Sequence, residues 1–359
     1  MRKNIADQKK DLLKIIHGII TNQLQLTESN GLVNGQSGVA LFMYKYSQYK
    51  NDQEMLDIAH SIINNYVWGP SLASLNSTNF TYGKTGFSWL FQHLIDINII
   101  TSNTQIENVL IELDRSIIYH RLQTPLLVDI KSDLFSHGLA LIKRYKGFDH
   151  YNNESEEGEG QNLYLYKLTL REQIIYLIDE CERLLYDKTA FNNILKPNWS
   201  LRLLNSILFF LIQSHKYNIF PSKTIKLIVY IIEIQKKLLP TCNILELSEI
   251  FAFYSLTNSI RSVLPQISKY DNSISPAFTV DTENISSEIL IEVLSNAGFY
   301  TIIFENKDIF NETLSYLCSQ DNSLVKKLCK HLKKNKNNRM NLSLDGLSSI
   351  GYGIISILN

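Results

Sequence analysis

The sequence predicts an all-α, single-domain protein with an inner ring of apolar helices inside an outer ring of amphipathic ones. Three observations carry this. Apolar residues recur at helical rather than strand spacing along most of the chain. A glycine-centred phrase returns at intervals of roughly 45–65 residues, the signature of a repeat architecture. Runs apolar all the way round alternate with runs that bury only one stripe, and a helix of the first kind must be covered on more than one side.

Taken in order, Leu12, Leu13, Ile15, Ile16, Ile19 and Ile20 mark an opening helix. The first phrase, Gly31-Leu32-Val33-Asn34-Gly35-Gln36-Ser37-Gly38, opens an apolar run, and Met55, Ile58, Ala59, Ile62 and Ile63 follow as an amphipathic partner. The second, Tyr82-Gly83-Lys84-Thr85-Gly86-Phe87, is followed by Ile106, Val109, Leu110, Leu113 and Ile117. A looser copy stands at Asp133-Leu134-Phe135-Ser136-His137-Gly138, before a helix with Ile174, Ile175, Ile178, Cys181 and Leu184. Further compact apolar runs are expected to open at Ser206 and Gly298, and the last copy is Asp345-Gly346-Leu347-Ser348-Ser349-Ile350-Gly351-Tyr352-Gly353. Ile228–Ile234 is ambiguous by propensity, but its flanks favour a buried helix. Asn152–Gln161, acidic, and Lys326–Arg339, basic, read as solvated loops.

Equal numbers of basic and acidic residues, 35 of each, give no electrostatic case for nucleic acid or an anionic membrane surface. The charged N-terminal residues hold no apolar signal core. No run approaches the ~18 apolar residues of a membrane span. Cys181, Cys242, Cys318 and Cys329 show no disulfide-framework spacing, which fits a cytoplasmic protein.

On its glycine phrases the chain resembles the lanthionine synthetase C family, from about Gly31 to Asn359. Gly31–Ala40 matches the family's first inner-helix opening, Tyr82–Trp89 its second, and Gly346–Leu358 its closing repeat. The resemblance implies an α/α toroid of about seven helical hairpins. It also implies a zinc ion held by two cysteines and a histidine, which binds a substrate cysteine as thiolate for addition to a dehydrated serine or threonine.

This sequence departs from that pattern in the fourth to sixth repeats. The family's catalytic histidine falls near Arg202, which stays protonated and cannot exchange a proton near neutral pH. Phe253 falls on the first cysteine ligand, beside a retained Tyr254. The Cys-His pair falls on Asn296 and Ala297, or on Val293 and Leu294. No cysteine or histidine lies between Cys242 and Cys318, so slippage does not restore the set. Cys318, Cys329 and His331 are the remaining candidates and lack the family spacing; His137 reads as a helix-start or core residue, and Cys242 as an incidental thiol.

The expectation is therefore a lanthionine synthetase C-like protein of a lantibiotic-type peptide pathway, with no cofactor, no metal site and no catalytic residue. It would act as a pseudo-cyclase that binds a precursor peptide or a partner peptide-modifying enzyme. An active lanthionine cyclase, or another toroid enzyme, is the rival reading. Trp199, Arg202, Phe253 and Tyr254 are the candidate binding residues at a cavity mouth. Two readings stay open for the aromatics Trp89, Trp199, Phe253, Tyr254, Phe299 and Tyr300: they line that mouth, or they fill the interior.

Overall fold

A computed structural model describes residues 5–26, 29–64, 77–123, 134–148, 159–186, 200–261, 285–321 and 323–358. Among them are fourteen α-helices and no β-strand. In chain order these are α1 (Ile5–Gln23), α2 (Gln36–Lys50), α3 (Gln53–Ile62), α4 (Lys84–Asp96), α5 (Thr104–Gln123), α6 (Ser136–Gly147) and α7 (Glu159–Tyr186). There follow α8 (Leu201–Lys216), α9 (Pro221–Leu238), α10 (Leu247–Arg261), α11 (Ser287–Ile303), α12 (Asp308–Gln320), α13 (Leu324–Lys334) and α14 (Leu347–Leu358).

Contacts divide the chain into two units, Met1–Ser74 with Leu239–Asn359, and Leu75–Leu238. In the second, α4, α6 and α8 pack in a row, backed by α5, α7 and α9 respectively. In the first, α10, α11, α14 and α2 form the row. There α3 backs α2, α12 packs on α10, α11 and α14, and α1 packs on α13 and α14. The two kinds of helix differ in burial as their sequences require. Every residue of α2 from Gln36 to Tyr44 is buried, whereas α3 buries Met55, Ala59 and Ile62 alone. Among the described residues seven helices are of the apolar kind, α2, α4, α6, α8, α10, α11 and α14. Within each unit amphipathic helices back apolar ones, the all-α class that the sequence predicts.

Three of the seven begin in the same way. The amide of Gln36 donates to the Ser29 carbonyl at 2.8 Å, that of Lys84 to Ser77 at 3.0 Å, and that of Leu347 to Asn341 at 3.0 Å. At the next position the hydroxyls of Ser37, Thr85 and Ser348 donate to the carbonyls of Asn30, Thr78 and Leu342. The loop therefore folds back over the helix start and satisfies amides that have no partner inside the helix. Gly35, Gly83 and Gly346 sit where this loop crosses closest. A Cβ on Gly83 would stand 2.5 Å from the Ser77 carbonyl oxygen, and the same crowding by loop backbone meets Gly35 and Gly346.

Helices α8 and α11 begin differently. Ser200 and Ser286 are ordinary N-caps whose hydroxyls accept the amides of Leu203 at 3.1 Å and Ile289 at 3.3 Å. These helices start ahead of the expected Ser206 and Gly298. Gly298 instead lies deep in α11, where a Cβ would overlap the Ser349 backbone of α14. The expected basic loop is also corrected. Leu324, Val325, Leu328 and Leu332 bury one face, so Leu324–Lys334 is the helix α13. Ile228–Ile234 lies in helix α9, as expected. Of the acidic stretch, residues 159–161 open α7, and the rest lies outside the described residues.

Candidate functional site

The fifth repeat gathers the polar groups that its sequence position makes most informative. A short turn at Leu239–Thr241 ends with the Cys242 amide on the Leu239 carbonyl at 3.2 Å. A capping box follows. The Asn243 side chain accepts the Leu245 amide at 2.8 Å, and Glu246 accepts the Asn243 amide at 3.0 Å. This fixes the entry into α10 and places the half-buried Cys242 beside the carboxyls of Glu246 and Glu249. Burial, then those two charges, push the thiol up to about 12. Cys242 is accordingly a neutral thiol near pH 7.

Glu249 is buried on the first turns of α10. It accepts the Ser248 hydroxyl at 2.7 Å and the Tyr300 hydroxyl of α11 at 3.5 Å. Tyr254 lies further along α10. Its phenol is pushed up to about 12 by burial and by Cys242, so it is a neutral donor. Its hydroxyl is buried and makes no hydrogen bond. An unmet buried hydroxyl costs about 1–3 kcal/mol unless something binds to it.

Of the residues singled out in the sequence, Trp199 lies outside the described ones. Arg202 is half-buried in the first turn of α8 and belongs to one unit, while Phe253 and Tyr254 belong to the other. Phe253 is 2% exposed, and Trp89, Phe299 and Tyr300 are buried as completely. These four rings fill interior volume. Phe253 and Tyr254 stand in the second and third turns of α10 and Phe299 and Tyr300 late in α11, not at helix starts. His137 is buried at the start of α6 and Cys181 is core on α7, as expected.

A second polar cluster had no sequence signal. Arg144 of α6, fully buried, donates to Asp114 of α5 at 2.8 Å and to Glu107 of α5 at 3.1 Å, and also bonds Gln92 of α4. Asp114 also accepts Ser88 at 2.8 Å and Tyr166 of α7 at 3.1 Å. Burial pushes the Asp114 carboxyl up and Arg144 opposes it. Burial pulls Arg144 down, but the Asp114 and Glu107 charges outweigh it and hold the guanidinium above its ordinary range. The group bonds four helices of one unit together.

A zinc ion does not fit the positions to which the resemblance read from the sequence assigns its ligands. Phe253, Val293, Leu294 and Ala297 are buried apolar side chains without a donor, and Asn296 is no thiolate or imidazole. Among the described residues no three His, Cys, Asp or Glu side chains form a metal set.

Residues 27–158 match the family model described as lanthionine synthetase C-like protein. Over that stretch, a little over a third of the chain, the protein is similar to the lanthionine synthetase C-like family. The stretch covers α2 to α6, the part that contains two of the three wrapped glycine loops. Phe253 and the α11 positions lie beyond it. No curated protein and no solved structure matches the chain. Among the described residues no helix is long and apolar enough to cross a membrane.

Proposed function

We propose that this lanthionine synthetase C-like protein binds a precursor peptide, or the enzyme that modifies it, in a cytoplasmic lantibiotic-type pathway, and performs no zinc-dependent cyclisation. The observation that carries the reading is the Tyr254 hydroxyl, a buried donor without a partner beside a thiol held neutral. Such a pair can donate to a peptide carbonyl but cannot activate a substrate thiol. Arg202 and Trp199 stay in the reading as binding residues on the fourth repeat, and Phe253 as the packing against which Tyr254 is held, their rings 5.7 Å apart.

The test is direct binding of the purified full chain to precursor peptides and modification enzymes encoded beside its gene. Saturable binding, weakened by Tyr254→Phe, with no loss of free thiol from a dehydrated precursor, is expected. Failure to bind any of them overturns the proposal. Zinc content is the second check. About one zinc per chain surviving a mild chelator wash would return cyclisation to first place. The same reading keeps residues 1–359 as a single domain, for which one calorimetric unfolding transition is expected and two would divide it.

A further inference from the structure

We propose that the groove between α1 and α13 is a docking site for an acidic peptide segment carrying an apolar side chain. The groove holds about 420 Å³, with Asp11 and Ile15 of α1 on one wall and Val325, Lys326, Lys330 and Lys333 of α13 on the other. The three lysines recur at helical spacing and so share one face. All three are exposed, and among the described residues none makes an ion pair. Lys327, off that face, is by contrast held by Asp321 at 2.9 Å. Three cations against one carboxylate, in a chain whose formal net charge is zero, are a local excess that an anionic ligand complements.

The shape narrows the choice of ligand. Lys326 to Lys333 spans about 10 Å along the helix axis, or about three residues of extended chain. Ile15 and Val325 offer an apolar contact between the walls, which suits one aliphatic side chain flanked by carboxylates. A phosphodiester backbone has nothing to place there. A bilayer would need exposed apolar side chains around the rim, which instead carries lysines and Asp11. The inference stands apart from the α10 cluster and does not need the Tyr254 reading.

The experiment uses the full chain and a fluorescein-labelled peptide of Glu, Leu and Ser, with Gln replacing Glu in a neutral control. Saturable, salt-sensitive binding of the acidic peptide alone is expected. It should weaken by about tenfold or more in Lys326→Glu/Lys330→Glu/Lys333→Glu, and by less in the milder triple Gln variant, which guards against a folding defect. A control reversal at the exposed Lys226 and Lys237 of α9 should change nothing. Cys329, half-buried in the groove, reports location, because bound peptide should slow its alkylation. The proposal is overturned if the acidic peptide does not bind, if both α13 variants bind as the parent does, or if Cys329 is not protected. Tighter binding to anionic vesicles or to an oligonucleotide, lost in the same variants, would also overturn it.

Discussion

Helices α4 and α8 are both apolar inner helices of the same unit, yet they are started by opposite devices. At α4 the loop wraps over the helix end, and Gly83 permits the crossing while Thr85 ties it to Thr78. At α8 a single serine, Ser200, caps the helix. The wrapped start needs a glycine and a hydroxyl at fixed spacing, so it writes itself into the sequence. The serine cap needs one common residue and leaves little trace. The lesson is that apolar helices without the glycine phrase still form and begin by another device.

Experiments can sharpen this comparison. The largest effect is expected where α4 is anchored from behind. Asp114→Ala leaves Arg144 buried with one carboxylate fewer and should cost about 3–5 kcal/mol in urea unfolding. Next, Gly83→Ala forces a Cβ against the Ser77 and Asn79 backbone, which cannot yield as a side chain would. It should cost about 1–3 kcal/mol. Ser200→Ala should cost about 1 kcal/mol. If Gly83→Ala costs no more than Ser200→Ala, the wrapped loop is not what fixes α4 and the contrast fails.

The smallest effect concerns α13, a third way of starting a helix. Asp321 accepts the Ser323 amide at 2.7 Å and Lys327 at 2.9 Å. The Lys327 hydrogen bond, followed by those of Ser323, holds its carboxyl down at about 2. A depressed carboxylate stabilises the fold above its unfolded pKa and loses that contribution as pH falls through the folded one. The contribution should therefore fade between about pH 4 and pH 2, and it is under about 1 kcal/mol because the pair faces water. Asp321→Asn should lower the unfolding midpoint slightly at pH 7 and flatten the pH dependence in that window. An unchanged acid profile would remove Asp321 from the start of α13.

What the sequence disclosed follows the same physics. Helical class and the alternation of apolar with amphipathic helices were legible because burial imposes a period. Helices α2, α4 and α14 were legible because backbone crowding imposes glycine. The starts of α8 and α11 were not, since Ser200 and Ser286 resemble any other serine. Helix α13 was hidden by its lysines, although Leu324, Val325, Leu328 and Leu332 carry the helical period and were the signal to read. The Arg144 network was beyond reach, its partners being separated by 30 to 52 positions. Cys242, after Pro240 in an expected loop, reads as an incidental thiol, and nothing near it in sequence foretells Tyr254 as its neighbour.

The packing of α2 against α14 has a consequence for synthesis. Gly38 lies against Leu344, Gly351 against Phe42, and the Asp345 amide reaches the Val33 carbonyl at 3.1 Å. These partners leave the ribosome about 300 residues apart, a gap of roughly 15–60 seconds at ordinary rates of translation. The unit spanning Leu75–Leu238 is one uninterrupted segment and has all its helices in hand well before then. Through that interval α2 carries an apolar surface whose cover has not yet been made, so the nascent chain is exposed to aggregation there until α14 emerges.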